Sequence, residues 1–98
     1  MERVVSRRKP RCVVVHVKDP FGYDLYGGRP SWLGNPFVIG RDGTRAEVIQ
    51  KFIDLHQHDE AFKARIRHEC TGKRIACHCK PLDCHLDWVA AVANGLET

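Results

Sequence analysis

The sequence predicts an α/β protein: a small single domain with a short, mainly parallel sheet and about three helices in a Rossmann-like arrangement. The first observation behind this is length, since 98 residues lie close to the commonest size of one domain. The second is the order of elements, which runs strand, irregular loop, two helices, strand and helix. Such alternation favours parallel strands joined by a crossover. We therefore expect residues 1–98 to form one domain, with residues 1–11 as a flexible, basic N-terminal arm.

The first strand and a long loop are expected in the first half of the chain. Residues 12–17, CVVVHV, are short, apolar and β-branched, which is typical of a buried strand. The loop of residues 19–43 contains six of the eight glycines, and short strands are expected within it at residues 24–26 and 37–39. A loop of this length in a small domain is usually functional or poorly ordered.

Two helices are expected after this loop. Thr44 and Glu47 have the spacing of a capping box, which predicts a helix that continues to about His56. Asp59 is expected to cap a second helix, which ends at Gly72. Apolar residues recur along both helices at helical spacing: Val48, Ile49, Phe52, Ile53 and Leu55, then Phe62, Ile66 and Cys70.

A second main strand and a third helix complete the pattern. Residues 73–79, KRIACHC, predict the strand, and Asp83 is expected to cap a helix that ends near Gly95. The inward residues of this helix are expected to be Leu86, Val89, Ala90 and Ala93. In open α/β sheets, ligands gather beyond the carboxyl ends of the strands. Residues 19–43 and the segment after residue 79 should therefore meet at that edge.

Composition narrows the functional classes. The formal net charge is +4, and the basic arm contributes Arg3, Arg7, Arg8, Lys9 and Arg11, which together attract phosphate. No apolar run approaches the roughly 20 residues of a spanning helix, and the charged start lacks the apolar stretch of a secretory signal. We therefore expect no membrane association and a cytoplasmic location. The five cysteines then suggest metal ligands or reactive thiols before disulfides.

The segment CHCKPLDCH, residues 77–85, concentrates this chemistry. Cys77 and Cys79 should lie on one face of a strand end, while Cys84 and His85 follow a turn in the first turn of the third helix. These four residues are therefore candidate ligands of a zinc ion, which takes four thiolate or imidazole ligands tetrahedrally. In most zinc sites the ligands form two pairs that are well separated in sequence. The compact spacing of these four residues differs from that pattern and weakens the zinc interpretation.

Two other interpretations of the same segment stay open. Cys84 at a helix N-terminus favours the thiolate form and nucleophilic catalysis, with His85 or His78 as its base or orienting group. Asp83 opposes this effect, and Cys79 could instead form a disulfide with Cys84. The cysteines can also be small buried residues that simply fill the core.

The loop GGRPSWLGNPF, residues 27–37, is the second unusual stretch. Arg29 is a forked donor suited to phosphate or carboxylate, and Ser31 adds a hydroxyl. Trp32 offers a stacking face, and Asn35 can pair with an amide or a purine edge. These four residues are the predicted ligand-binding set, although the aromatic rings could equally close the core.

The two stretches together resemble a known family. GRPSWLGNPFVIGRDGTRAEVI and GKRIACHCKPLDCHLDWVAAVAN are similar to a small phage and bacterial family catalogued as domain of unknown function 4326. Its members carry a GRPS-x-x-GNPF loop and a C-x-C-x4-CH ending, and the resemblance covers residues 12 to 95. The family usually has tryptophan at the position of His78. The resemblance implies a phage or prophage origin, hence the cytoplasm of a bacterial host, and implies no established reaction.

Three functions follow as alternatives. In the first, the chain binds a nucleotide-like or other phosphorylated small ligand in a cleft between the two stretches, and either sequesters or modifies it. In the second, it is a metal-stabilised module that blocks a host protein. The third, nucleic-acid binding through the basic arm, has weaker support. Enzymatic activity is left open because no paired carboxylates or Ser–His–Asp set is evident, and a homodimer would help so small a core.

Overall fold

The computed structural model describes residues 11–96, in which three parallel strands form one sheet accompanied by three helices. The elements in chain order are β1 (Val13–His16), β2 (Leu25–Tyr26), α1 (Arg45–His56), α2 (Glu60–Cys70), β3 (Arg74–Cys77) and α3 (Leu86–Ala93). The predicted α/β class, parallel sheet and three helices are confirmed. The N-terminal arm lies outside the described residues except for Arg11, which is exposed.

The sheet has the order β1-β3-β2, so β3 lies at its centre. Val13 pairs with Arg74 and His16 with Cys77 on one side of β3, while Tyr26 pairs with Ala76 on the other. Because both pairings are parallel, the carboxyl ends of all three strands lie at one edge. The central position also explains why β3 has three consecutive buried residues at its end.

Helices α1 and α2 begin where the sequence predicts. The hydroxyl of Thr44 accepts the Glu47 N–H at 3.2 Å, and the Glu47 carboxylate accepts the Thr44 N–H at 2.8 Å. The Asp59 carboxylate accepts the Phe62 N–H at 3.0 Å, which caps α2. The buried residues are Val48 and Phe52 of α1 and Ile66 and Cys70 of α2. Leu55, which belongs to the predicted apolar stripe, is instead 53% exposed.

Helix α3 begins later than predicted, and Asp83 is not its cap. The first helical residue is Leu86, and His85 precedes it without a capping side chain. The chain first turns through residues 79–82, where the Leu82 N–H donates to the Cys79 carbonyl at 2.7 Å, and residues 83–85 then lead into α3. Cys84 and His85 therefore lie before the helix. The buried residues of α3 are Leu86, Val89, Val92 and Ala93, with Ala90 half-buried beside them.

Two further boundaries differ from the prediction. Residues 37–39 form no strand, since only an isolated bridge joins Ile39 to Gly43. The strand expected at residues 73–79 ends at Cys77, which leaves Cys79 in the turn. None of the helices in residues 11–96 has the length and apolar character needed to cross a membrane.

Candidate functional site

A pocket of about 320 Å³ opens at the carboxyl edge of the sheet. It lies between the loop after β2, the N-terminal half of α1 and the CHCKPLDCH segment, so the two unusual stretches do face one cleft. Its lining residues are Tyr26, Gly28, Arg29, Asn35, Phe37, Val38, Ile39, Arg45, Val48, Ile49, Cys77, His78, Cys79, Asp83, Cys84 and His85. Placement at this edge follows from the parallel topology.

Arg29 and Asn35 form the loop side of the pocket. Asn35 is buried, and its amide donates to the Val48 carbonyl at 3.0 Å while its Oδ1 accepts the Phe37 N–H at 2.9 Å. Asn35 therefore ties the loop to α1 with its side chain. One guanidinium nitrogen of Arg29, Nη1, donates to the Asn35 carbonyl. This bond orients the exposed guanidinium and leaves its other N–H donors for a ligand.

Ser31 and Trp32 do not border the pocket, although both belong to the predicted ligand-binding set. The hydroxyl of Ser31 accepts the Leu33 N–H at 3.2 Å within its own turn. The Trp32 ring lies edge-on to Phe62, with 5.8 Å between ring centroids, and the guanidinium of Arg65 lies 3.9 Å above it. Trp32 thus packs between the loop and α2 and not in the cleft.

Several pocket residues were missed by sequence reasoning. Arg45, the first residue of α1, borders the pocket and donates to the Asp83 carbonyl at 3.1 Å. An apolar wall consists of Phe37, Val38, Ile39, Val48 and Ile49. The position of Arg45 just after the Thr44 cap was the available signal, since a helix start near the strand edges points toward the ligand site.

The three cysteines of the segment converge. The Sγ atoms of Cys77, Cys79 and Cys84 lie within 4.8 Å of one another, close enough to hold a metal ion. Cys77 and Cys84 are each only 3% exposed, and Cys79 is half-buried. All three are free cysteines. The predicted convergence of these sulfur atoms is therefore present, although Cys79 reaches it from a turn.

The favoured thiolate of this cluster is Cys77. Its pKa lies below the ordinary range, chiefly because the Cys84 thiol donates a hydrogen bond to it. The backbone N–H groups of Cys79 and Lys80 and the Lys80 ammonium also stabilise the negative charge. The pKa of Cys84 is raised, since its proton is held by Cys77 and since its thiol is buried. The two pKa values shift in opposite directions because the two thiols share a hydrogen bond, and Cys84 lies before α3 and not in its first turn, where the sequence predicts it.

The ring of His85 lies beside Cys84 and is held there by its own hydrogen bonds. Its Nε2 lies 2.8 Å from the Leu33 carbonyl and 3.3 Å from the Gly27 carbonyl. Both partners are acceptors, so Nε2 carries the proton, and Nδ1 lies 3.7 Å from Sγ of Cys84. Burial lowers the pKa of His85, which favours the neutral ring. His85 does not join the three cysteines as a fourth close ligand.

A Tyr–His contact forms the remaining polar side of the pocket. The hydroxyl of Tyr26 at the end of β2 lies 3.1 Å from Nε2 of His78, and the His78 ring is edge-on to the Tyr26 ring at 5.8 Å between centroids. His78 is exposed. Its polar ring therefore lies at the mouth of the cleft. As the alternation of side chains along a strand predicts, His78 and the buried cysteine cluster lie on opposite sides.

Comparisons with known proteins agree with the resemblance seen in the sequence. The model of a family described as "Domain of unknown function (DUF4326)" matches residues 13–95. A protein of Enterobacteria phage T4, named as an uncharacterized 12.4 kDa protein in the nrdA-td intergenic region, is 33% identical over 91 residues. That alignment covers 87% of this chain and 80% of the phage protein. No solved structure matches the chain.

Proposed function

The chain belongs to the DUF4326 family of unknown function, and from that premise we propose that it binds a small phosphate-bearing, nucleotide-like ligand in the pocket between the GRPSWLGNPF loop and the CHCKPLDCH segment. One observation carries the proposal: Arg29, Arg45 and a continuous apolar wall line a single pocket at the carboxyl edge of a parallel sheet. A volume of about 320 Å³ is at the lower end of the range for small-molecule sites.

The phosphate end of the ligand is assigned to the two arginines. Arg29 and Arg45 each use one nitrogen, Nη1, to hold a backbone carbonyl. Their remaining donors have the planar fork that suits phosphate oxygens. Anchoring by a backbone contact lowers the entropy that each side chain loses when the ligand binds.

The base end is assigned to the apolar wall. Phe37 contributes an aromatic face, and Val48 and Ile49 come from the first turns of α1. In this proposal Phe37 takes the stacking role that the sequence assigned to Trp32, since Trp32 packs against α2. A flat, weakly polar ring fits such a wall better than a sugar or a peptide would.

We further propose that Cys77, Cys79 and Cys84 hold a zinc ion. Sulfur ligands select zinc among the abundant divalent cations, and the thiolate form of Cys77 is the form that binds a metal. The other two cysteines of the chain are ordinary buried thiols, since burial raises the pKa of Cys12 to about 11 and that of Cys70 to about 12. We place the protein in the cytoplasm of a bacterial host, where such thiolates stay reduced.

The test of ligand binding is a thermal-shift panel of nucleoside mono-, di- and triphosphates with inorganic phosphate as a comparator. The wild type is expected to gain melting temperature with at least one nucleotide, and Arg29→Ala is expected to lose that gain. Arg41→Ala is the matched control, since Arg41 lies on the same loop, pairs with Asp42 and does not border the pocket. Equal stabilisation of Arg29→Ala and wild type would remove the proposed pocket.

Sequestration and modification are then separated by the fate of the bound nucleotide. Mass spectrometry after incubation shows an unchanged ligand if the protein only sequesters it. A changed ligand mass would instead show modification. The sequence-predicted catalytic pair is Cys84 and His85: disappearance of the change in His85→Gln at unchanged zinc content would assign a catalytic role to His85, whereas Cys84→Ser tests Cys84 together with the proposed metal site.

A second function is favoured by one observation on the turn between the cysteines. Leu82 is 56% exposed there, so a metal bound by Cys79 and Cys84 would fix an apolar side chain on the surface. The alternative is a metal-stabilised module that blocks a host protein. One bound zinc per chain together with no response to any nucleotide would favour this alternative over the ligand pocket.

A further inference from the structure

We propose that the zinc ion held by Cys77, Cys79 and Cys84 keeps its fourth coordination position open to the pocket, so that water or a neutral nitrogen of the bound ligand completes the site. This inference rests on the zinc ion of the proposed function and deepens it. It joins the metal and the ligand pocket into one site and makes the metal a ligand-binding element instead of a purely structural one.

The sulfur geometry fits one tetrahedral ion. Zinc–sulfur bonds of about 2.3 Å at tetrahedral angles place neighbouring sulfur atoms about 3.8 Å apart. The three Sγ atoms already lie within 4.8 Å of one another without an ion. Shortening the distances between these sulfur atoms by about an ångström or less therefore brings them to bonding geometry. Cys79 and Cys84 flank a turn, and a small adjustment of this turn can provide that movement.

The described part of the chain offers no fourth ligand. No histidine, aspartate or glutamate among residues 11–96 joins the three cysteines within the same distance. His85 is the nearest candidate, since its Nδ1 lies 3.7 Å from Sγ of Cys84, but the ring does not lie within 4.8 Å of all three sulfur atoms. The contacts of Nε2 with the carbonyls of Leu33 and Gly27 hold the ring in this position.

Two other side chains close to the cluster, those of His78 and Asp87, also form contacts with other groups. His78 points toward Tyr26, whose hydroxyl lies 3.1 Å from its Nε2. Asp87 accepts from the Lys80 ammonium at 2.7 Å with one oxygen and from the Cys84 N–H at 3.1 Å with the other. Each thus holds the segment that carries the cysteines. With no fourth side chain placed at the ion among residues 11–96, we assign the fourth position of a tetrahedral ion to water or to the bound ligand.

That ligand can reach the ion from the pocket. All three cysteines border the pocket, as do Arg29 and Arg45. The opposite sides of Cys77 and Cys84 face the core, where these residues pack with Ile75 and Leu86. A water molecule or ligand atom in the pocket is therefore the available fourth donor.

Charge selects the kind of donor. Three thiolates outweigh the charge of Zn²⁺ and leave the complex negative, so an additional anion at the metal is disfavoured. Water or a ring nitrogen adds no charge. A nucleotide can satisfy both requirements in one pocket, with its phosphate at the arginines and a ring nitrogen of its base at the metal.

The test is the visible spectrum of the full chain loaded with Co²⁺, a spectroscopic substitute for Zn²⁺, during titration with imidazole. Imidazole is a neutral nitrogen donor small enough for the pocket. The expected result is a set of tetrahedral cobalt bands that shift with added imidazole and saturate. Bands that do not move at any imidazole concentration would overturn the open position and leave the zinc proposal intact.

Two controls distinguish a failure of the open coordination position from a failure of the zinc site or of the ligand pocket. His85→Ala should leave the cobalt bands unchanged before imidazole is added, whereas altered bands would make His85 the fourth ligand and overturn the inference. Failure of the wild type to bind Co²⁺ would overturn both the open position and the zinc site. Neither result affects the arginine-dependent nucleotide stabilisation, which is measured separately and tests the pocket itself.

Discussion

At the scale of single residues, the sequence predicted which side chains meet better than it predicted what each one does. Arg29, Asn35 and the cysteine cluster do border one pocket. The pKa of Cys77 is lowered and that of Cys84 is raised, because the pKa of each thiol depends on the hydrogen-bond donors and the burial around that sulfur after folding. Those donors include backbone N–H groups of the turn, whose direction residue types alone do not determine.

The metal assignment predicts a specific loss for one cysteine. Cys79→Ser should lower zinc affinity by more than the roughly 10–100-fold that follows loss of an outer-shell partner, because it removes a direct ligand. Cys79 is only half-buried, so the variant should still fold. The measurement is zinc per chain by plasma emission after dialysis.

The matched control for this measurement is Cys12→Ala, which removes a buried cysteine outside the cluster. It should retain the zinc content of the wild type. Equal zinc content in Cys79→Ser and wild type would contradict the three-cysteine site.

Asn35 predicts a stability cost that a merely ligand-binding residue would not show. Asn35→Ala removes the hydrogen bond to the Val48 carbonyl and leaves the Phe37 N–H without its acceptor, a loss that costs about 2 kcal/mol of unfolding free energy. Urea denaturation measures it. The control is Gln50→Ala, which removes an exposed contact to Asp54. Its unfolding free energy should stay within about 0.5 kcal/mol of the wild-type value. A similarly small change for Asn35→Ala would contradict the role of Asn35 as a link to α1.

At the scale of elements, the sequence predicted helix starts that depend on neighbouring residues, but it misplaced boundaries that depend on contacts with distant parts of the chain. The caps at Thr44 and Asp59 are confirmed because a side chain and a backbone N–H three residues away decide them. The start of α3 was misplaced because it follows the turn of residues 79–82, whose path the residue types alone do not determine. Likewise, residues 37–39 have an apolar pattern but lack a neighbouring strand, so they form only a bridge.

The capping box of α1 predicts a pH dependence with a definite sign. The pKa of Glu47 is lowered from 4.5, chiefly because the Thr44 N–H donates to its carboxylate. A lowered pKa in the folded state means that ionised Glu47 stabilises the fold above pH 4.5 and that this contribution is lost as the pH falls through the folded-state value. Glu47→Gln should therefore be less stable than the wild type at neutral pH, and the difference should shrink in acid.

The measurement is the unfolding free energy of both proteins across this pH range. Thr44→Ala provides a comparison that removes the hydroxyl cap, at a cost of about 1 kcal/mol at neutral pH. A difference between wild type and Glu47→Gln that is the same at every pH would show that the carboxylate charge does not act at this helix end.

At the scale of the whole molecule, topology explains why a site forms from segments that are distant in sequence. Loops that follow parallel strands must share one edge of the sheet, so the glycine- and proline-rich loop and the cysteine-rich turn meet there. The outward turn of Trp32 onto α2 was not predictable, because both the core and the cleft accept an aromatic ring. Only the position of α2 decides between them.

Native mass spectrometry of freshly purified wild type and Arg29→Ala is the decisive experiment for the ligand pocket, since it reports metal, small-molecule ligand and oligomeric state together. We expect a wild-type mass that includes one zinc ion and a nucleotide-sized, phosphate-bearing molecule. Arg29→Ala should keep the zinc and lose the molecule. A wild type that carries no such molecule, or a variant that retains it in equal amount, would contradict the ligand pocket.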